Sequence, residues 1–300
     1  MTSLRLLLAI FLGTLLTLHS EETYEIRLHR PVKAGDRFRI AAKIAIESET
    51  STTLNKEDAV VEKVNVACKL TGELTVVAVT KNGLASEVRF KLAEVECVSD
   101  GAKAAFFKTG DVIHLKQDDE EKIAEVNGAE PDELQNAVID DLLSVAGEKA
   151  PTEDEVSGTK DKVAVGAEWP INPAVAAKGW SDYGYEGLKA QDIKGSTKLV
   201  EVGKLDGKPS LRLRGELKVS SSGIRMPGNP EELKTKQFSL EASDETEMPV
   251  DPAAMESRVK LQVKLETESA GKIERDGETV KVKIKMRHRY AYEIAETPIH

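Results

Sequence analysis

Apolar and polar residues alternate with a period of two along much of the chain. Residues 38–46, 259–265 and 280–292 each place apolar side chains on one face and mostly polar side chains on the other. This alternation is typical of half-buried antiparallel strands. Aromatic residues are only 4% of the sequence, so the core must be largely aliphatic, which suits sheets. The pattern predicts an α+β, β-dominated fold: long antiparallel hairpins in curved sheets, half-barrel or sandwich-like.

One segment shows the helical period instead. Its apolar residues fall on one stripe: Leu134, Val138, Leu142 and Val145. Pro131 suits the first helical position, and Gly147 suits a stop. The sequence therefore predicts one main helix around residues 131–146, packed on a sheet. Residues 147–162 are acidic and poor in apolar side chains, which is typical of a linker or long loop.

The N-terminal segment has the proportions of a secretory signal peptide. Arg5 precedes an apolar run over residues 6–18, and Ser20 is a small residue at a plausible cleavage point. An uncleaved membrane anchor is the alternative, since the length of the apolar run lies between that of a signal peptide and that of a membrane-spanning helix. We expect a signal peptide over residues 1–20 and a secreted or periplasmic protein with no further transmembrane segment.

The remaining chain divides at the linker. We expect a first β-rich half with the helix over residues 21–150 and a second β-rich half over residues 151–300, packed as one unit or as two domains. Acidic residues outnumber basic ones by 52 to 42, for a net charge of −10. Phosphate backbones require a surplus of cations, so nucleic acid is not an expected partner.

The two cysteines, Cys68 and Cys97, are expected to form a disulfide, because secreted proteins fold in an oxidising compartment. Hairpin geometry supports the pairing, since a turn at Asn82 and Gly83 lies midway between them. A two-residue loop pairs the cysteines directly. A three-residue loop followed by a bulge near Ala93 also pairs them, with a better apolar match close to the turn.

A second hairpin has a register that can be stated in advance. The Asp-Gly pair at residues 206–207 predicts a two-residue turn. That turn places Val202 opposite Leu211 and Val200 opposite Leu213.

The last predicted strand carries five cations on one face: Lys281, Lys283, Lys285, Arg287 and Arg289. One hypothesis is a binding face for anionic headgroups or polysaccharide. The favoured interpretation is a solvated face, because a turn at residues 276–277 brings acidic residues opposite some of these cations. The expected opposite-charge pairs are Lys260 with Glu293, Glu266 with Arg287 and Glu268 with Lys285.

Four aromatic residues are concentrated in one stretch: Trp169, Trp180, Tyr183 and Tyr185. They could form a stacking surface for a sugar or an apolar ligand. The favoured interpretation is that the two tryptophans anchor a core and that residues 181–187 form a turn-rich connector.

The sequence contains no recognised catalytic motif, and we expect neither an enzyme nor a cofactor or metal site. Four histidines follow the signal segment without ligand spacing: His29, His114, His288 and His300. His29 is interpreted as solvated and His288 as a core residue. The acidic run at residues 117–121 is interpreted as the solvated tip of a hairpin, because calcium would require a different spacing.

A short internal echo suggests a duplicated strand start. Residues 32–38, VKAGDRF, and residues 163–169, VAVGAEW, share the pattern Val-x-x-Gly-x-x-aromatic. The echo places Trp169 at the position of Phe38.

The order of motifs over residues 24–170 resembles a family of uncharacterised secreted or periplasmic bacterial proteins. The resemblance rests on GDRF at residues 35–38, GDVIHLKQDDEEKIAEVNG at residues 110–128 and VGAEWPI at residues 165–171. It implies curved sheets like the half-barrels of lipoprotein-carrier proteins, and it implies no catalytic residue.

Two functions are nearly level from sequence. The first is an envelope structural or interaction module without a ligand cavity. The second is a carrier of an apolar, lipid-like ligand in the concave face of a sheet. An enzyme ranks below both, because no convergent group of His, Asp or Glu is evident.

Overall fold

The computed structural model describes residues 22–299, except residues 56, 119–120, 183, 227–229, 231 and 276–277. The expected signal peptide therefore lies outside the described residues. The strands are β1 Thr23–Tyr24, β2 Arg37–Leu54, β3 Val60–Val79, β4 Ala85–Ser99, β5 Ala102–Ala104, β6 Val112–Asp118, β7 Glu121–Val126, β8 Val163–Ala164, β9 Glu168–Pro170, β10 Ile193–Leu205, β11 Lys208–Ser221, β12 Leu233–Pro249, β13 Ser257–Arg275 and β14 Glu278–Pro298. The α-helices are α1 Glu133–Leu142, α2 Glu153–Ser157 and α3 Pro173–Asp182, and a 3-10 turn covers Ala190–Asp192.

Most of the strands form one open, curved antiparallel sheet, as the alternation predicts. Its order is β7-β6-β4-β3-β2-β14-β13-β12-β11-β10-β9, with β5 beside β4 and with β1 and β8 paired separately. Consecutive strands are neighbours from β2 to β5, from β6 to β7 and from β9 to β14. In addition, β4 pairs with β6, and β14 pairs with β2 along nearly its whole length. This pairing joins the two expected halves in a single sheet.

One face of the sheet, called the inner face below, carries the packed core. In β2 the residues Phe38, Ile40, Ala42, Ile44 and Ile46 are buried, while the residues between them are exposed. The inner face has three clusters: one on β2–β4 and β6 with α1, one on β10–β13 with α3, and one around Trp169. The opposite, outer face is rich in charge and open to water.

The register between β3 and β4 confirms the three-residue loop with a bulge. Gly83 has a positive φ of 77° in the turn, a conformation that glycine adopts without strain. The pairing shifts where Thr71 faces Glu94 and Gly72 faces Leu92, so that Ala93 is the extra residue. Beyond this bulge Cys68 faces Cys97, and the two form the expected disulfide.

The register between β10 and β11 confirms one predicted pair and corrects the other. Val202 faces Leu211, as expected from the turn at residues 206–207. The expected pair of Val200 with Leu213 is wrong, because a bulge at Val200 sets Leu199 opposite Leu213. Leu199 is fully buried, so the bulge turns this leucine, rather than Val200, toward the core.

The register between β13 and β14 is the predicted one throughout the described residues. Inner pairs include Leu261 with Tyr292 and Val263 with Tyr290. All three expected opposite-charge pairs are cross-strand neighbours on the outer face, with N–O distances of 3.2 Å for Lys260–Glu293, 3.9 Å for Arg287–Glu266 and 3.6 Å for Lys285–Glu268. The turn at residues 276–277 lies outside the described residues.

Helix α1 is shorter than predicted at both ends. Asp132 is its N-cap and forms a capping box with Gln135, so Pro131 precedes the helix. The helix ends at Leu142 because the next residues run extended along the sheet. Leu143 and Val145 are buried there with strand-like spacing, and the Ala146 amide donates to the Ala85 carbonyl at 2.8 Å.

The prediction of a linker over residues 147–162 is wrong in its middle. Thr152 caps helix α2 through a capping box with Glu155, and this helix is tied to distant parts of the chain. The Asp154 carboxylate accepts from the Leu28 amide at 2.7 Å, and the Ser157 carbonyl accepts from the Trp169 indole at 2.8 Å. The segment is therefore anchored rather than loose.

The internal echo corresponds to two matching turns. Gly35 and Gly166 both have positive φ, 93° and 92°. The Gly35 amide donates to the Val76 carbonyl at 2.8 Å, and the Gly166 amide donates to the Leu199 carbonyl at 2.7 Å. Each turn is therefore hydrogen-bonded to the strand that pairs with the next one in the chain. The turn at Gly35 precedes β2 and is bonded to β3, and the turn at Gly166 precedes β9 and is bonded to β10.

Candidate functional site

The inner face is only partly covered along β14 and its neighbour β13. Four side chains there, called the central strip below, are half buried: Leu261, Tyr290, Tyr292 and Ile294. On one side the strip contacts the cluster that contains α1, and on the other side Leu261 and Tyr290 contact the cluster that contains α3. The strip is therefore the floor of a groove between two covered regions.

Three carboxylates surround this floor and are called the acidic cluster: Asp141 of α1, Asp244 of β12 and Glu296 of β14. Asp244, Leu261 and Tyr292 lie in one cross-strand row. Burial, followed by the charges of the three carboxylates, raises the pKa of Tyr292 to about 12. All three acids thus act on the same tyrosine hydroxyl.

Asp141 has a carboxylate whose pKa lies well above its usual range. Burial raises the pKa of Asp141 to about 7, and the neighbouring charge of Asp140 adds to the effect. Lys122 opposes the rise, but its ammonium is bonded to Asp140. Asp141 therefore lacks a close cation of its own among the described residues.

Asp244 occupies space that a glycine leaves open. A Cβ atom placed on Gly215, its partner on β11, would lie 2.0 Å from the Asp244 carboxylate. The Thr246 hydroxyl donates to Asp244 at 3.1 Å. Burial nevertheless raises the pKa of Asp244, because one hydroxyl only partly replaces lost water.

The other titratable groups of the groove favour their neutral forms. Burial raises the pKa of Glu296, although the Ser257 hydroxyl donates to its carboxylate at 3.1 Å. Burial raises the pKa of Tyr290 and lowers the pKa of His288. At neutral pH the groove thus presents tyrosine rings, hydroxyls and carboxylates that are short of cations.

The disulfide braces the same row of the sheet. Ile44 lies between Tyr292 on one side and Cys68 on the other, and Cys68 is bonded to Cys97. Closing this loop contributes roughly 3–4 kcal/mol in the chain-entropy description. The floor of the groove therefore lies in a cross-linked part of the sheet.

The four aromatic residues of the sequence stretch do not share one surface. Trp169 is buried in β9 within its own cluster, and Trp180 of α3 packs on Phe238 with ring centroids 6.2 Å apart. Tyr185 lies 5.1 Å from Trp180, between ring centroids. Tyr183 lies outside the described residues. Trp169 and Trp180 therefore lie in separate packed clusters.

The five cations of β14 have unequal surroundings. Near Arg287 and Arg289, the adjacent strand β2 contributes Glu49 and Glu47. Near Lys281 and Lys283, the same strand contributes neutral residues. Strand β2 therefore places an acid opposite each of the two arginines, but none opposite Lys283.

The histidines hold no metal site within the described residues. His29 was expected to be solvated, and this expectation is wrong. Its side chain is only 12% exposed and lies 2.7 Å from the Asn82 carbonyl oxygen. His114 lies 2.8 Å from Glu87. His300 lies outside the described residues. The acidic run at residues 117–121 spans the tip of the β6–β7 hairpin, where residues 119–120 are also outside.

Sequence reasoning missed the acidic cluster. Asp244 and Glu296 could have been found from the sequence. Each stands at an inward-facing position of an alternating strand, where the pattern predicts an apolar residue. Asp141 carried no comparable signal, since charged residues are ordinary beside the stripe of an amphipathic helix.

Comparisons with known proteins add little to this geometry. No protein-family model matches the chain, and no curated protein matches it. Among solved structures, a likeness is found to OmpTdeltaL8, a loop L8 deletion mutant of OmpT, an outer membrane protein of Vibrio cholerae. It has 7% identity and a TM-score of 0.20, and covers 84% of this chain and 99% of that one. Within the described residues, no helix has the length and hydropathy of a membrane span.

Proposed function

We propose that this chain is a secreted or periplasmic binding module, without enzymatic activity, whose groove receives a basic side chain of a partner. The observation that carries the proposal is the acidic cluster around Tyr292. Ionised carboxylates that are buried without a cation destabilise the folded protein, and a cation of a ligand would remove this destabilisation by pairing with them. The raised pKa values of Asp141, Asp244 and Glu296 reflect the unfavourable burial of their charges.

The floor of the groove suits the stem of such a side chain. Lysine and arginine bury an aliphatic stem on apolar surface while the charged head stays beside polar groups. Leu261 and Ile294 provide apolar surface, and the ring of Tyr290 can also face a cation. Packed clusters on both sides of the strip favour an extended partner over a lipid enclosed in a cavity.

A pair of peptides tests the proposal. The first is acetyl-Ala-Leu-Lys-Leu-Ala-amide, and the second has norleucine in place of lysine. We expect calorimetry near pH 7 to show about tenfold tighter binding of the lysine peptide. Binding should also release protons, measured in buffers of different ionisation enthalpy, because the cation stabilises ionised Asp141.

Matched variants locate the effect. The double variant Asp141→Asn with Asp244→Asn should lose the preference for lysine. Asp58→Asn is the control, because Asp58 is exposed in the turn between β2 and β3, away from the groove. Equal or tighter binding of the norleucine peptide would support the apolar-ligand carrier instead. Binding of neither peptide would overturn the proposal.

A further inference from the structure

A cavity of about 390 Å³ lies at the far end of the sheet, where β2, β12, β13 and β14 meet. It is called the lysine pocket below and is lined by Thr53, Asn55, Lys236, Ala270, Gly271, Lys272, Lys281, Val282 and Lys283. Four of these nine residues are lysines, in a protein whose net charge is −10. This local concentration of positive charge runs against the character of the whole chain.

The registers explain why the lysines converge. Lys272 and Lys281 face each other across β13 and β14, and Lys283 faces Ala270. Lys236 is the extra residue where the β12–β13 register shifts between Thr235 and Gln237, and such a bulge redirects a side chain. The small side chain of Ala270 leaves open space between the longer ones.

Nearby acids leave most of this charge free. Glu268 bonds Lys283 at 2.9 Å, and Glu274 accepts from Thr279 at 2.7 Å. Among the described residues, no acid forms an ion pair with Lys236, Lys272 or Lys281. Like charges on facing strands are unfavourable, so an anion in the pocket would relieve a repulsion built into the sheet.

A second cavity on the outer face, of about 480 Å³, differs from the lysine pocket in how its cations are paired. Its lysines are paired, since Lys43 and Lys260 both bond Glu293, at 3.1 and 3.2 Å, and Lys69 lies 3.5 Å from Glu96. A balanced surface of this kind needs no ligand charge. Only the lysine pocket, of these two cavities, combines a concave shape with a surplus of cations.

We propose that the lysine pocket binds a phosphate group. Lysines surround a phosphate as point charges, and the volume is that of a small-ligand site. The phosphate can belong to a free anion or to a lipid headgroup. Val60 and Val61 on the adjoining β2–β3 tip are 64% and 49% exposed, which provides apolar contact at the same end of the sheet for the lipid case.

The experiment uses inorganic phosphate and two kinds of vesicle, phosphatidylglycerol-containing and pure phosphatidylcholine. Lys272→Gln with Lys281→Gln should weaken binding of the effective probe about thirtyfold, since two membrane-facing lysines contribute about that much. Lys264→Gln with Arg289→Gln is the matched control. This pair also faces across β13 and β14 with like charge, but Glu241 and Glu47 lie beside it.

Amide chemical shifts of residues 270–272 should report phosphate binding, and vesicle sedimentation should report lipid binding. Phosphate binding assigns a soluble ligand, and binding to phosphatidylglycerol vesicles alone assigns a headgroup. Both outcomes require that the control variant bind as the wild type does. Absence of binding to every probe, or an equal loss in the control, would overturn the proposal. Unchanged urea midpoints establish that both variants fold.

Discussion

Replacing Asp141 by asparagine should stabilise the protein at neutral and alkaline pH. Burial and the charge of Asp140 raise the pKa of Asp141 from 3.8 to about 7. Since one pKa unit corresponds to about 1.36 kcal/mol, the ionised carboxylate costs the folded state up to about 4 kcal/mol. The side chain is partly exposed, so we expect screening to leave about 2 kcal/mol.

The sign follows from proton binding. Between pH 4 and 7 the folded state holds a proton on Asp141 that the unfolded chain has lost. The free energy of unfolding should therefore fall as pH rises through this window and level off above it. The amide of the Asp141→Asn variant cannot ionise, so the advantage of this variant over the wild type should be small near pH 4 and largest at pH 8.

Urea unfolding of the oxidised protein, followed by tryptophan fluorescence, measures this difference at each pH. Asp140→Asn is the control, because it frees Lys122 for Asp141 and should reduce the pH dependence without abolishing it. Asp244 and Glu296 also have raised pKa values, so some dependence should persist in the Asp141→Asn variant. If the difference between the wild type and this variant is the same at pH 4 and pH 8, the reasoning about Asp141 is wrong.

Three further predictions concern the scaffold of the groove. Gly215→Ala should destabilise the protein by about 1–3 kcal/mol through collision with the Asp244 carboxylate, and urea midpoints of this variant with and without Asp244→Ser should show that the two effects are not additive. Thiol titration of the unfolded, oxidised protein should find no free thiol, while replacing Cys68 and Cys97 by serine should cost roughly 3–4 kcal/mol in urea. Trp169→Phe should cost about 1–3 kcal/mol in the same assay, because it leaves the Ser157 carbonyl without its indole donor.

Hairpin registers were predictable where a turn sequence and the apolar phase agree. The pairing of β13 with β14 follows from residues 276–277 and from strict alternation on both strands. The bulge at Val200 was not predictable, because Leu199 and Val200 are both apolar and only the packing selects Leu199. Helix α3 was missed, because Gly179 lies within it and glycine is unfavourable in a helix interior.

Sites that combine residues from distant segments could not be predicted from local sequence patterns. The acidic cluster draws Asp141, Asp244 and Glu296 from three separate segments, and nothing in their spacing brings them together. The lysine pocket was half anticipated, since Lys281 and Lys283 belong to the predicted basic face. Lys236 was not, because its position depends on a bulge within β12.

The pairing of β2 with β14 affects the order in which the strands of the sheet can assemble during synthesis and folding. This pairing brings Phe38 beside Pro298, so the middle of the sheet is closed by a strand that is synthesised after β2 to β13. Contacts between segments so far apart in the sequence form slowly, because a large loop must close first. Until then β2 is an edge strand whose inward residues, from Phe38 to Ile46, have only one neighbouring strand. A nascent or truncated chain that lacks residues 278–298 therefore exposes an unpaired apolar edge, the feature that most readily recruits a second chain.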